Sequence, residues 1–327
     1  MGSESKFSKI KKSLNYLDES LDKVIKTYHY PNNKTSMKLD YFRTYFMHGA
    51  APKDYISLEM YKKNHRERKN TITFKRHNKL NHALNDYSSD INVIENKSKF
   101  NKLMAKYIKR KWLTSEESTI EERLQFLEDA GVVFFKPSDE TKGQGIKKLS
   151  ANEDSKKFLE QQTGSFVLEE VIEQNDVINK INPYAVNTVR VYTLLKKNGK
   201  AEVVFAALRS AATKAYVDNM AQGGFVYPID IETGVICMPG VSYHSIEKSI
   251  FHPVTNTQVV GTKIPNFDIL KTQVVEMAEH FDKLRYIGWD IAILEDGIDV
   301  VEANLDPCSR ILQSDGRGKY LEMKSLI

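Results

Sequence analysis

Hydrophobic residues near the start of the chain recur at alternating intervals of three and four: Phe7, Ile10, Leu14, Leu17, Leu21, Val24 or Ile25, and Tyr28. That spacing predicts one amphipathic helix over residues 5–29, ended by Pro31-Asn32-Asn33. Further helical patterns cover residues 39–47, 55–66, 74–84 and 98–112, so the first part of the chain reads as mainly α. Ser118-Thr119 followed by Glu121-Glu122 has capping-box spacing, and the helix it opens runs to Gly131. From Val132 short β-branched and aromatic runs take over: Val132 to Phe135, Phe166 to Leu168, Thr188 to Leu195 and Val203 to Leu208. A helix from Phe267 to Leu284 follows, then strands at Ile287 to Leu294 and Ile298 to Ala303. Lys197-Asn198-Gly199 and Glu295-Asp296-Gly297 read as hairpin turns, which predicts an α+β domain with mostly antiparallel pairing.

With 327 residues, 41% of them hydrophobic and 10% aromatic, the chain can bury a large core and divide into two or three lobes. The pattern divides it into a helical, basic region at 1–112 and an α+β region at 113–327. No apolar stretch approaches the length of a membrane span, and Met1 to Lys12 is charged rather than signal-like. The expected location is therefore cytoplasmic. Cys237 and Cys308 are too few for a disulfide framework and lack CxxC spacing, which argues against a structural zinc and a redox pair. The net charge of +5 conceals an asymmetry: residues 1–111 hold 25 Lys and Arg against 11 Asp and Glu, whereas residues 112–327 hold 23 against 32. The basic part can attract nucleic acid, an anionic membrane surface or an acidic soluble substrate, with a solvated helical face as the plainer alternative. It carries no zinc-finger spacing and no RNP-like aromatic motif, so no specific nucleic-acid partner is expected.

Candidate chemistry gathers in the α+β region. Gly288-Trp289-Asp290-Ile291-Ala292 precedes Val300-Val301-Glu302-Ala303-Asn304. Residues i and i+2 of a strand face the same way, so Glu302 and Asn304 can converge with Asp290 from a neighbouring strand. Three hard oxygen ligands suit Mg²⁺ shared with nucleotide phosphates. Upstream, Lys136 leaves a buried strand and needs an anion close by. The loop after it, Ser138 to Ile146, adds Lys142, Gly143 and Gly145, whose backbone N–H groups can approach phosphate; a surface turn is the alternative, since neither a Walker A motif nor GxGxxG is present. Phe166 to Gln174 is an apolar strand running into Glu169, Glu170 and Glu173, able to offer backbone groups to an adenine edge and a carboxylate to ribose. Asn187, Arg190 and Arg209 flank apolar strands, where arginine suits bidentate phosphate binding or a structural ion pair.

The order of these features resembles the ATP-grasp superfamily over residues 132–306. The closer resemblance is to its sugar-transfer associated group, found with capsular and extracellular polysaccharide biosynthesis. It is carried by His48-Gly49-Ala50-Ala51-Pro52-Lys53-Asp54-Tyr55, Asn64-His65-Arg66-Glu67-Arg68, Asn187-Thr188-Val189-Arg190, Val217-Asp218-Asn219 with Gly223-Gly224, and Gly288-Trp289-Asp290. The resemblance implies two α+β lobes, about 113–172 and 173–327, enclosing ATP. It makes Lys136 and Lys142 phosphate ligands, Thr141 to Gly145 a lid, and Glu169 to Val171 the adenine contacts, with Glu170 or Glu173 near the ribose. Asp290, Glu302 and Asn304 become the Mg²⁺ ligands. The chain departs from the pattern in a lid poorer in glycine and in Ser210, where glycine is common.

The chemistry implied is activation of a carboxylate by ATP, with an amine then displacing phosphate from an acyl-phosphate. Arg190, Arg209 and Lys142 are the catalytic candidates. Asp218, Asn219 and Asn187 are substrate candidates, with an Asx-turn as an equal reading of Asp218-Asn219. The product expected is an amide between an amino acid or amine and a uronic-acid saccharide, free or lipid-linked. A kinase that stops at phosphoryl transfer and a non-catalytic ATP-binding scaffold are the alternatives. The basic region fits an anionic glycan and equally a peripheral membrane contact.

Overall fold

The computed structural model describes residues 6–88, 90–139, 145–214, 224–242 and 247–327. The chain folds as two compact units. One comprises Met1–Leu84, Val241–Lys248 and Cys308–Ile327; the other comprises Asn85–Gly240 and Ser249–Pro307. The division expected near residue 112 therefore falls at Leu84, and the last twenty residues return to the helical unit.

In the helical unit the expected first helix is Lys6–Tyr28, and the second, Lys34–His48, starts on the Asn33 side chain, which accepts from Ser36 N–H at 2.8 Å. Leu17, Leu21 and Val24 of the first pack with Met37 and Tyr41 of the second and with Tyr55, Ile56 and Met60. The single helix expected at 55–66 is instead two, Pro52–Ser57 and His65–Asn70. Glu59 takes a left-handed backbone between them, and Asn64 with Glu67 forms a reciprocal capping box at 2.7 and 3.0 Å. A good cap outcompetes continuation of the preceding helix. Phe74–Leu84 forms as expected. Gln313 closes the unit: its amide accepts from Ile72 N–H at 2.7 Å and donates to Ile72 and Ser309 carbonyls at 3.0 Å.

Among the described residues the chain holds eleven strands, most of them in the second unit: β1 (Trp112–Thr114), β2 (Val132–Pro137), β3 (Lys147–Ser150), β4 (Phe166–Glu170), β5 (Thr188–Leu195), β6 (Ala201–Ala211), β7 (Gly224–Ile229), β8 (Gly240–Ser242), β9 (Lys248–Ser249), β10 (Tyr286–Leu294) and β11 (Gly297–Asn304). Val241 and Ser242 of β8 and Lys248 of β9 belong to the first unit. A four-stranded sheet has the order β1-β4-β2-β3, and the long strands of the larger sheet run β11-β10-β5-β6-β7. Every strand pairing recorded between them is antiparallel. Both predicted hairpins are present: Lys196 N–H donates to Lys200 O at 2.9 Å across a left-handed Gly199, and Leu294 faces Gly297.

The larger sheet is two-faced. Val189, Val191, Ala206, Leu208, Trp289, Ile291, Ile293, Ile298 and Val300 point into one core with Phe267, Leu270, Val274 and Met277 of the helix Phe267–Glu279. Residues that alternate with them point the other way, among them Arg190, Arg209 and Asp290, and an irregularity in β11 turns Glu302 and Asn304 to that side as well. Trp289 carries the most apolar surface on the core side; it is fully buried, and its indole N–H donates to Thr193 Oγ1 at 2.9 Å. Trp289→Ala is expected to lower stability by about 3–5 kcal/mol, read as a fall in the urea midpoint of this unit's unfolding transition; a loss below about 1 kcal/mol would show that the core side does not hold the sheet.

Candidate active site

The polar face of the larger sheet is built from register. Asp290 of β10 stands opposite Arg190 of β5 on one side and Glu302 of β11 on the other, and Gly288 stands opposite Asn304. A bulge between Asp290 and Ile291 leaves Val301 without a directly paired residue. Arg190 grips Asp290 with two bonds, Nε to Oδ1 at 2.6 Å and Nη2 to Oδ2 at 2.7 Å, and Arg209 Nη1 reaches Oδ2 at 2.6 Å. All three side chains are buried. Such bidentate pairing fixes orientation as well as charge. Burial alone would raise the Asp290 carboxyl, but the two guanidinium groups hold it well below the usual carboxylate range. Arg190 is pushed up by the same pairing, against its own desolvation.

Glu302 lies at the open side of this pair. Its carboxylate accepts from the Asn304 amide at 3.2 Å. Loss of hydration and then the Asp290 charge push its carboxyl up; because the residue itself reaches solvent, the repulsion from Asp290 is the cause that stands on geometry. Gly288 is set by packing: a Cβ there would lie 2.5 Å from Pro307 Cβ and 3.5 Å from Arg190 Cδ. Two carboxylates and an amide oxygen on one face form a hard-oxygen donor set that fits Mg²⁺, an ion commonly held by one or two carboxylates plus phosphates. Among the described residues no group of three or more His, Cys, Asp or Glu is placed to hold a metal.

A second buried network lies between the two sheets. Arg110, just before β1, donates through Nε to Glu169 Oε2 at 2.8 Å and through Nη1 to Val300 O at 2.9 Å, and it also pairs with Asp299. Lys136 of β2 reaches Glu169 at 2.5 Å, and Asn101 donates to the other Glu169 oxygen at 3.0 Å. Desolvation opposes ionisation of both acids, but they separate. Glu169, facing Arg110 and Lys136, stays below its ordinary range, whereas Asp299, with one cation, is pushed up.

The expected site residues divide accordingly. The Glu169 carboxylate and Lys136 are joined to one another, which leaves the Glu169 backbone as its means of meeting a base. Glu170 accepts from Lys111 N–H at 3.0 Å, and Val171 and Glu173 are exposed. Asn187 is buried and fully engaged: its amide donates to Gln174 Oε1 at 3.0 Å and Asn182 O at 2.9 Å and accepts from Ser210 at 2.6 Å. It braces the loop Gln174–Asn187 and has no polar atom left for a substrate. The serine at position 210 thus has a structural reason. Gly145 is exposed with φ 71; Lys142, Gly143, Asp218 and Asn219 lie outside the described residues. Of the basic cluster Arg66, Arg68 and Lys69, Arg68 is tied to Asp40 at 2.7 and 2.8 Å, while Arg66 and Lys69 are exposed. Arg110 and Asp299 were not expected. Arg110 hides in the basic run Lys109-Arg110-Lys111, while Asp299 inside Ile298-Asp299-Val300-Val301 is a signal, an acid within a β-branched strand.

A model of the sugar-transfer associated ATP-grasp family matches residues 75–322, and the chain belongs to that family. No curated protein matches it. Among solved structures it is similar to the ATP-grasp ligase PsnB complexed with a phosphomimetic variant of minimal precursor, Mg and ADP, at 18% identity and TM-score 0.45, over 74% of this chain and 60% of that one. It is similar to a biotin carboxylase complex from Campylobacter jejuni at 12% and 0.49, over 74% and 48%, and to N5-carboxyaminoimidazole ribonucleotide synthetase from Thermotoga maritima at 11% and 0.39, over 64% and 41%. The chain spans three fifths or less of the length of these proteins.

Removing Arg110 leaves Glu169 and Asp299 without their shared cation, and breaking a buried pair typically costs about 3–5 kcal/mol. In Arg110→Met the Asp299 carboxyl, left without its one cation, would have a folded-state value above its unfolded one of 3.8, while Glu169 keeps Lys136. The contribution of Asp299 should then be fully present below its unfolded value and be lost as pH rises through its raised folded-state value. Urea titrations between pH 4 and 8 check this; a deficit that does not shrink toward acid would reject the network as drawn.

Proposed function

We propose that the chain is an ATP-dependent carboxylate–amine ligase. The observation that carries this reading is the opposition of Asp290 and Glu302 across β10 and β11, with Asn304 on the same face and two arginines bound to Asp290. Membership of the sugar-transfer associated ATP-grasp family supports it. Glu302 and Asn304 would hold Mg²⁺ with Asp290, which the arginines orient. When bound, Mg²⁺ neutralises charge on the phosphate oxygens of ATP.

The residues of this chain bind and position. Two guanidinium groups on one carboxylate leave a net positive edge, suited to a phosphoryl group in transit and to the oxyanion formed when an amine attacks the acyl carbon. Substrate carboxylate oxygen bonds to the γ-phosphorus as ADP leaves; the amine nitrogen then bonds to carbon, phosphate leaves and the amine gives up a proton. Lys136, pulled between Glu169 and a phosphate, and Lys142 with Gly143 and Gly145 would cover the triphosphate, and Glu169, Glu170, Val171 and Glu173 would line the base and ribose. Asp218 and Asn219 remain candidates for orienting substrate. The acid partner is an acidic saccharide of capsular or extracellular polysaccharide synthesis, drawn by Arg66 and Lys69, and the amine is an amino acid or small amine.

Incubation with Mg²⁺-ATP, pooled amino acids and uronic-acid saccharides should yield ADP, phosphate and a condensed mass. ADP with a phosphorylated saccharide would make the enzyme a kinase, and tight ATP binding without turnover would make it a scaffold. Glu302→Ala should lower Mg²⁺-dependent turnover by about a hundredfold or more while leaving the fold intact, and unchanged turnover would remove the ligase reading. Arg66→Ala with Lys69→Ala should raise the KM for the saccharide and leave kcat in place; an unchanged KM would remove the saccharide from the basic region.

A further inference from the structure

The helix Lys34–His48 is apolar on two opposite sides. Met37, Tyr41, Thr44 and His48 are buried in the helical unit, as their spacing requires. At 3.6 residues per turn, Leu39, Phe42 and Phe46 fall on the far side, and they are 67%, 42% and 80% exposed. Met47 adjoins them at 50%, and Phe74, 56% exposed, precedes Lys75, whose side chain lies against Gly49 at the end of the same helix. An amphipathic helix of a soluble unit ordinarily turns polar residues outward. Scattered exposed apolar residues need no explanation, but a row at helical spacing marks a surface that meets something.

The charges around the row select what it meets. Arg43 is exposed on the row itself, between Leu39 and Met47 at i+4 spacing, and Lys38, which pairs with Asp18, lies on the flank beside Phe42. The single acid of the helix, Asp40, is turned to Arg68 and Tyr55. Residues 1–84 as a whole hold 18 Lys and Arg against 8 Asp and Glu. A row of large apolar side chains flanked by cations, on a helix too polar to span a bilayer, is the arrangement of helices that lie in the plane of an anionic membrane. A second copy placed face to face would set like charges together.

We propose that the Leu39, Phe42, Phe46 and Met47 face is a docking surface for an anionic lipid bilayer, holding the protein at the membrane surface without crossing it. Attraction of the basic unit to lipid phosphate brings the helix in, and burial of the two phenylalanine rings at the acyl boundary holds it.

Sedimentation of the full chain with phosphatidylcholine vesicles, with and without phosphatidylglycerol, tests this. Binding is expected only with phosphatidylglycerol, should weaken as salt rises, and should fall about tenfold or more in Phe42→Ser/Phe46→Ser. Both positions are exposed, so thermal unfolding should not change; if that variant fails to fold, Arg43→Glu serves in its place with the same expected loss. Absence of binding to anionic vesicles would overturn the proposal. So would undiminished binding by a folded variant, or a dimer of the parent chain that the double substitution dissociates, which would make the occupant a second copy.

Discussion

The carboxylate of Asp290 is the point on which the polar face of the large sheet depends. Two buried guanidinium groups from β5 and β6 end on it, and its loss would take from Arg190 a bidentate partner at a buried position, where breaking such a pair is strongly destabilising. The trio ties three adjacent strands together through side chains as well as backbone. It also fixes what the neighbouring acid experiences: after loss of hydration, the Asp290 charge that Glu302 faces pushes its carboxyl up, while Arg190 and Arg209 offset part of that repulsion. The Glu169 network repeats this logic between the two sheets, with Arg110 shared by acids from β4 and β11.

Much of this architecture was legible in the sequence. β5 was delimited correctly by its β-branched and aromatic residues, and both hairpins by their turn residues, because local chemistry decides them. The strand β7 escaped: Pro228 interrupts Gly224–Ile229, and a proline ordinarily argues against a sheet interior. The edge strand β3, Lys147–Ser150, escaped because its residues are mostly exposed and polar. Trp112 was placed at the end of a helix, whereas tertiary pairing with Glu169 makes it the start of β1. In the site, Asp290, Glu302 and Asn304 were legible as positions on strands, but which charges pair with which was not, since Arg190 and Asp290 are a hundred residues apart and meet only through register. Asn187 showed the reverse, a polar residue in a suggestive place whose partners are all internal.

Several residues that carry the family resemblance turn out to be helix ends. Asn64 and Glu67 form a capping box, Gly49 ends the helix Lys34–His48 with φ 68, and Asp54 binds the backbone N–H groups of Ala51 and Phe74. Short motifs of this kind specify chain reversals as readily as chemistry. They account for a helical unit that closes on a tail drawn from the far end of the sequence through Gln313 and Ile72.

The bulge beside Asp290 has a consequence for how this hairpin can change. Faces alternate strictly along a strand, and Ile298 and Val300 lie on the core side. An unbroken ladder would carry Glu302 and Asn304 to that side as well, against the helix Phe267–Glu279. The surplus residue, Val301, reverses the parity once, so that the second half of β11 delivers its polar residues to the opposite face from the one its first half dictates. Removal of Val301 would leave Glu302 and Asn304 on the polar face in an unbroken ladder, whereas drawing Val301 into the ladder at unchanged length would exchange the acid and amide for their apolar neighbours at a stroke. The facing of the acid and the amide is therefore a matter of register more than of composition, and it holds for as long as one residue stays outside the ladder.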